Sequence, residues 1–360
     1  MRKAQAIRAK NARAVARPLA LRRPFEPMEA ASASAIPTGA GWQYEPKWDG
    51  FRCLAFRSGD DIFLQSKSCK PLGRYFPEIV AALRQTRPQH FVLDGELIIP
   101  EGKTLSFDLL LERIHPAESR VKRLAAETPA TYVVFDLLVD DANRTLVHEP
   151  LGKRRTALDR LFTRYFRKHK RFALSPATDK LSAVRRWFAR TGGALDGIVA
   201  KRADETYRSG ERSAVVKVKQ IRTADCVVGG FRYSSDGKSI GSLLLGLYDR
   251  KGLLNHVGFV SGFSREDRAA LRNRVEPLIR PPGFTGTKPG GPSRWSTERS
   301  EQWEPLAPKL VVEVSFDHVT AQRFRHAAGF VRWRPDKSPR KCTMDQMKVA
   351  APLSLLDLAR

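Results

Sequence analysis

The chain is short of cysteine, of long apolar runs and of acidic residues, and each shortage excludes something. Its four cysteines (Cys53, Cys69, Cys226, Cys342) are scattered, with no CxxC pair and no Cys/His cluster at zinc-ligand spacing. That excludes a zinc ribbon and a disulfide scaffold, and a reducing, cytoplasmic compartment is expected. No stretch approaches the roughly eighteen apolar residues of a membrane helix, and no secretory apolar region opens the sequence. No membrane association is expected. Neither G-x-x-x-x-G-K-[ST] nor G-x-G-x-x-G occurs, so those two phosphate cradles are not in use. The shortage of acids is the informative one. Thirty-eight Asp and Glu face sixty-four Lys and Arg, leaving +26. Without a polyanionic partner such a charge is a standing self-repulsion, so nucleic acid is the expected partner.

What is present is a folded protein: 42% hydrophobic residues, nineteen Phe, and 360 residues, enough for two domains. Eight Lys/Arg precede the first acid, Glu26. Transit peptides share that composition, but we read residues 1–23 as a basic flexible arm that tracks a phosphate backbone. Residues 24–221 read as mixed α+β. In LAFRSGDDIFLQS (54–66) two alternating runs flank a Gly-Asp-Asp turn, a hairpin. FPEIVAALRQT and LGKRRTALDRLFTRYF carry apolar residues at helical spacing, and SAVRRWFARTGG reads as a helix closed by glycines. HFVLDGELIIP and ATYVVFDLLVDD read as buried strands. Beyond KVKQIRTADC, over residues 222–354, the pattern becomes short strands separated by SSDGK and DRKG turns. One helix there is capped by Ser264, with Asp267 three residues on. A loop follows at Pro281–Pro292, with four Gly and four Pro in twelve residues. About five strands with one helix fit a small barrel such as the OB-fold.

The chemistry-bearing residues lie at the ends of these strands. YEPKWDGFR (44–52) sets Lys47 between Pro46 and Trp48. A nucleophilic lysine must be neutral, yet a free one keeps its proton until about pH 10.4. Apolar walls and a nearby cation, here Arg52, would disfavour the ammonium. A surface loop accounts for the nine residues equally well. Asp94 and Glu96, two apart in LDGEL, project to one face, where paired acids can bind a divalent cation or ribose hydroxyls; a solvated strand end is the plainer reading. Phe135 and Asp136 in VVFDLL lie on opposite faces, and core packing is the simple account of Phe135. Asp196 in LDGIVAKR repeats the acid-glycine pair and is followed by Lys201 and Arg202. Lys217 and Lys219 in VVKVK share one face and repel unless an anion such as phosphate sits there; a solvated basic edge is the alternative. Thr320–Lys348 holds eight Lys/Arg against two Asp, interleaved with Phe324, Phe330 and Trp333, a face able to grip phosphates without reading sequence.

In order, KWDGFR, SKSCKPL, LDGEL, VVFDLL, DGIVAKR and VVKVK resemble the motifs of the covalent nucleotidyltransferases, in particular the ATP-dependent DNA ligases. RFRHAAGFVRWRPDKSP resembles the last motif of that family, and the texture is most like the short bacterial C-type ligases. The resemblance implies an α+β fold. An adenylation (nucleotidyltransferase) domain of antiparallel sheets and flanking helices would span 24–221, and an OB-fold β-barrel 222–354. It implies ATP and a divalent metal (Mg or Mn), nicked double-stranded DNA as substrate, and a monomer acting in repair beside the bacterial nucleoid. A repair polymerase or an end-binding protein is the partner to expect. Lys47 would then attack the α-phosphate of ATP and become a lysyl-adenylate. Glu45 would contact adenine, Phe135 would stack on it, and Glu96 would hold the ribose. Arg52 would bind ribose or the nick ends, and Lys217 and Lys219 the α-phosphate. Asp196, with Glu96, would face the metal. Asp336 and Lys337 would orient the leaving pyrophosphate in the first step only. Two positions depart from the pattern: Asp196 stands where Glu is usual, and Ser66-Lys67 where Ser-Arg is usual, trading a bidentate guanidinium for a point charge. An RNA ligase or capping guanylyltransferase, which share K-x-D-G, and a non-catalytic OB-type binding protein are the competing readings.

Overall fold

The computed structural model describes residues 18–102, 104–189, 191, 195–235, 237, 239–290, 302–320 and 322–348. The chain divides into two compact units between Lys219 and Gln220.

The first unit holds two sheets. One has the order β4-β3-β5-β8-β9, built from β3 (Phe51–Ser58), β4 (Asp61–Ser66), β5 (His90–Ile98), β8 (Thr131–Val139) and β9 (Phe172–Leu174). The other has the order β1-β11-β10-β2, from β1 (Ala31–Ser32), β2 (Trp42–Trp48), β10 (Leu195–Arg202) and β11 (Val215–Val218). A small hairpin, β6 (Pro100–Glu101) and β7 (Thr104–Leu105), stands apart. Pairing is antiparallel except at two edges, where β1 runs parallel to β11 and β9 parallel to β8. The apolar runs read as strands are central ones: every residue of β8 is buried. On one side of β5 and β8, helices α1 (Pro77–Gln85) and α4 (Leu151–Tyr165) bury Ile79, Leu83, Leu158 and Leu161 against Phe91, Leu93 and Leu137. Between the sheets lies a second core of Tyr44, Trp48, Ile98, Val133, Leu195 and Ile198, completed by Val184 and Trp187 of α5 (Leu181–Phe188).

Several details differ from the sequence reading. The β3–β4 turn is two residues long, Gly59-Asp60, because Asp61 already pairs with Ser58. The glycines after α5 lie outside the described residues. Helices α2 (Phe107–Arg113) and α3 (Glu118–Glu127) fill a stretch left unassigned. Of the arm, residues 1–17 lie outside the described residues, whereas 18–23 are held down rather than flexible. Leu19 and Leu21 pack on a core containing Leu54, Phe56 and Val92, and Arg23 pairs with Asp61 at 2.8 Å.

The second unit curls one sheet, order β14-β13-β12-β16-β19, from β12 (Arg222–Tyr233), β13 (Ile240–Tyr248), β14 (Leu254–Ser261), β16 (Val311–Phe316) and β19 (Gly329–Trp333). β15 (Glu304–Pro305) also pairs with β12, and β17 (Val319–Thr320) with β18 (Arg323–Phe324). A bridge from Val260 to Ala328 brings the two ends of the path together around Val227, Leu243, Leu245, Val312 and Val314. Helix α6 (Arg265–Val275) is capped as read, the Ser264 hydroxyl accepting from the Asp267 amide. The unit is an OB-fold. Among the described residues no helix is long and apolar enough to cross a membrane, and all four cysteines are free.

Candidate active site

Strand register explains how distant motifs meet. On the β1-β11-β10-β2 sheet, Val199 lies opposite Glu45 on one side and Lys217 on the other, so the three form a row. Lys47, two residues from Glu45, falls on the same face and opposite Gly197. Between Leu195 and Gly197 the register slips by one, a β-bulge that leaves Asp196 as the extra residue and re-aims its side chain. The bulge carries Asp196 to Lys47: Nζ donates to Oδ2 at 2.5 Å, and Lys219 Nζ reaches the same oxygen at 3.2 Å. Gly197 has φ +145°, and a Cβ there would run into the Val218 carbonyl, so the bulge requires glycine.

Glu45, Lys47, Arg52, Lys67, Glu96, Phe135 and Lys217 line one cavity of about 210 Å³. Asp196 and Lys219 join it through their ion pairs with Lys47 and with each other. An adjoining cavity of about 550 Å³ shares Arg52, Lys67 and Glu96 and adds Gly50, Ser66 and Ser68. Asp336 and Lys337 belong to the second unit, where Asp336 pairs with Arg334 at 2.8 Å and Lys337 with Asp225 at 3.2 Å.

The electrostatics are lopsided. Partial burial, then Lys47, Lys67, Lys219 and Arg212, push the Lys217 ammonium below its ordinary range. Among the described residues no carboxylate pairs with it. Glu96 is the opposite case. Burial pushes its carboxyl up to about 7, against the pull of Arg52 and Lys47. Glu45 is buried yet satisfied, bound by Lys201 Nζ and Gln43 Nε2, each at 2.8 Å.

One expectation needs correction. Arg52 is not a free cation beside Lys47: Asp94, fully buried, takes its Nε at 2.6 Å and its Nη2 at 2.7 Å. Trp48 is a core residue. Its indole Nε1 donates to Ser175 Oγ at 3.0 Å within the inter-sheet core, because neighbours on a strand face opposite ways. Phe135 lines the cavity with Arg52 4.6 Å and Lys201 4.5 Å from its ring centroid, while Asp136 on the other face forms a buried pair with Arg154.

Sequence reasoning gave no role to Lys201, Tyr207, Met28 and Glu29, all of which line the cavity, and it gave Asp94 a cation or ribose where the structure gives it Arg52. A lysine pointing inward from the buried strand LDGIVAKR was the available signal for Lys201. The other late arrivals come from far along the chain, Met28 and Tyr207 being 179 residues apart. Among the described residues no three His, Cys, Asp or Glu side chains gather as a metal cage. Glu96 and Asp196 nevertheless suit a hard cation that brings further ligands with it. Both offer carboxylate oxygens near Lys47, and the burial that raises Glu96 would be relieved by positive charge.

Residues 27–219 match the ATP dependent DNA ligase domain, and residues 236–337 the ATP dependent DNA ligase C terminal region. DNA ligase C1 of Mycolicibacterium smegmatis is 43% identical over 347 residues, 93% of this chain and 97% of that protein. The multifunctional non-homologous end joining DNA repair protein LigD of Mycobacterium tuberculosis is 27% identical over 305 residues, 83% of this chain and 37% of that protein. A solved structure of a Lig E DNA ligase shares the fold, with a TM-score of 0.54 at 19% identity, covering 86% of this chain and 99% of that one. By its matched domains and its identity across nearly its whole length, the chain belongs to the family of ATP-dependent DNA ligases.

Proposed function

We propose that this ligase seals nicks in duplex DNA through a covalent adenylate on Lys47. Neutral Lys47 Nζ attacks the α-phosphorus of ATP; a P–N bond forms, the bond to the β-phosphate oxygen breaks, and pyrophosphate leaves. The 5′-phosphate at the nick then attacks the same phosphorus and returns the lysine amine. Attack by the 3′-hydroxyl on the activated 5′-phosphate closes the strand and releases AMP. The observation that carries this reading is the set of cations around Lys217, a lysine with no carboxylate of its own beside a partly buried amine. A polyanion would satisfy such a set, and a triphosphate is one.

The other roles follow from position. Asp196 Oδ2, at 2.5 Å, is the acceptor within reach of the Lys47 proton. Glu45, fixed by Lys201, faces the base, and Phe135 offers its ring. Glu96 holds the ribose. Lys217 and Lys219 hold the α-phosphate. Lys67 and Arg52, shared by both cavities, stand between nucleotide and nick. Glu96 and Asp196 would hold a divalent cation, whose contribution when bound is to neutralise phosphate charge. Asp336 and Lys337 act on pyrophosphate in the first step. Repair is the pathway we assign, on the likeness to a relative named for end joining.

Incubation with α-labelled ATP tests the reading. The wild-type chain should carry label through denaturing electrophoresis, and Lys47→Ala should lose it by on the order of a thousand-fold or more. Label surviving in Lys47→Ala would overturn the assignment. Label from GTP but not ATP would move the chain toward the capping enzymes.

A further inference from the structure

We infer that Tyr207 is a positioning residue for Arg52, its hydroxyl closing a four-residue ring of hydrogen bonds that builds the segment around Met28 into the wall of the nucleotide pocket. The ring can be followed atom by atom. Arg52 donates Nε and Nη2 to the two oxygens of Asp94, and Nη2 also to the Met28 carbonyl at 3.3 Å. Asp94 Oδ2 accepts a second bond, from the Tyr207 hydroxyl, at 2.6 Å. That hydroxyl in turn accepts the Met28 amide at 3.0 Å. All four residues line the cavity that also holds Lys47.

The arrangement leaves one guanidinium nitrogen for a ligand. With Nε and Nη2 committed, Nη1 of Arg52 is the nitrogen without a protein partner among the described residues. Its direction is set by how Asp94 is held, and Asp94 has no water to fall back on, being fully buried. Tyr207 supplies that hold. Burial first, then the Asp94 charge, raise the Tyr207 hydroxyl well above its ordinary range, so it stays a donor. Removing the hydroxyl would strand a buried carboxylate lone pair and the Met28 amide together, a loss that buried charged groups feel strongly.

A purely structural role is the rival account, since the Tyr207 ring lies 6.0 Å from Phe25 and 5.6 Å from the Arg154 guanidinium. Tyr207→Phe keeps the ring and deletes only the hydroxyl. The test is a double-mutant cycle on single-turnover adenylate formation from ATP, using Tyr207→Phe, Arg52→Ala and the double variant. Each is assayed at a temperature where near-UV circular dichroism shows the native signal. We expect Tyr207→Phe to lower kcat/KM about tenfold in the wild-type background and less than about twofold when Arg52 is already alanine. An undiminished tenfold loss in the Arg52→Ala background, or a wild-type rate for Tyr207→Phe alone, would overturn the inference. The inference rests on the cavity being the nucleotide site. Label surviving in Lys47→Ala would therefore overturn both, whereas label lost there beside an active Tyr207→Phe would overturn only this one.

Discussion

Glu96 is an acid that its surroundings resist ionising, and this gives it a pH signature. Its carboxyl titrates near 7 in the folded chain against about 4.5 when exposed. Between those values the native state holds a proton that the unfolded chain has released. The stability contribution from this group is therefore fully present below about pH 4.5 and is lost as pH rises through about 7. Activity runs the other way if the ionised form holds the ribose and a cation. The kcat/KM for adenylate formation, which reports the free enzyme, should climb through a midpoint near pH 7, and Glu96→Gln should be slower and lack that inflection. An unchanged inflection in the Gln variant would assign it to another group. At this scale much of the site was legible, because Glu45, Lys47 and Glu96 announce themselves in short motifs with alternating spacing. Tyr207 was not legible. One tyrosine in a polar loop carries no local mark of a partner 113 residues away at Asp94.

Glycines and bulges decide what the strands can present. At Gly95, between Asp94 and Glu96, the protein's own neighbouring strand approaches closely. A Cβ there would lie 2.5 Å from the Val133 carbonyl and 2.6 Å from Tyr132 Cε2. Tyr132 is pinned where it is, donating to the carbonyls of Cys53 at 2.8 Å and Leu93 at 3.0 Å. Gly95→Ala must therefore part β5 from β8 while disturbing Asp94 and Glu96 on either side. We expect a loss of about 1–3 kcal/mol, read as a lower urea midpoint with unchanged slope, together with slower adenylate formation. An unmoved midpoint would show that the sheet yields at no cost. The strands themselves were legible because central strands such as β5 and β8 carry short apolar runs rich in β-branched residues. Helices α2 and α3 were not, since α2 is only seven residues long, half of α3 is charged, and few buried residues mark their inner faces: Leu110 and Arg113 in α2, Val121, Leu124 and Ala125 in α3. The bulge at Asp196 was invisible too, because register belongs to the pairing of two strands and not to either alone.

Across the whole molecule the chain carries +26 of formal charge, and our reading assigns its two units different steps. Asp336 is well exposed, with a side-chain exposure of 64%, and it rests on Arg334, so its removal should leave the barrel standing. On our reading Asp336→Ala, like Lys337→Ala, slows self-adenylation on the order of tenfold or more yet spares sealing of a nick adenylated beforehand. One preparation assayed both ways decides the point, and equal losses in the two assays would place these residues elsewhere in the cycle. The reach of the first unit has a practical side. The matched ligase domain opens at residue 27, but Phe25 exchanges backbone bonds with the Gln65 side chain, and the Glu26 carbonyl accepts the Ser209 hydroxyl. A fragment trimmed to the domain boundary would thus begin two residues inside these ties and one residue before Met28. Anyone excising the catalytic half should start upstream of Leu19, or the piece will carry the six motifs from KWDGFR to VVKVK and an unfastened pocket.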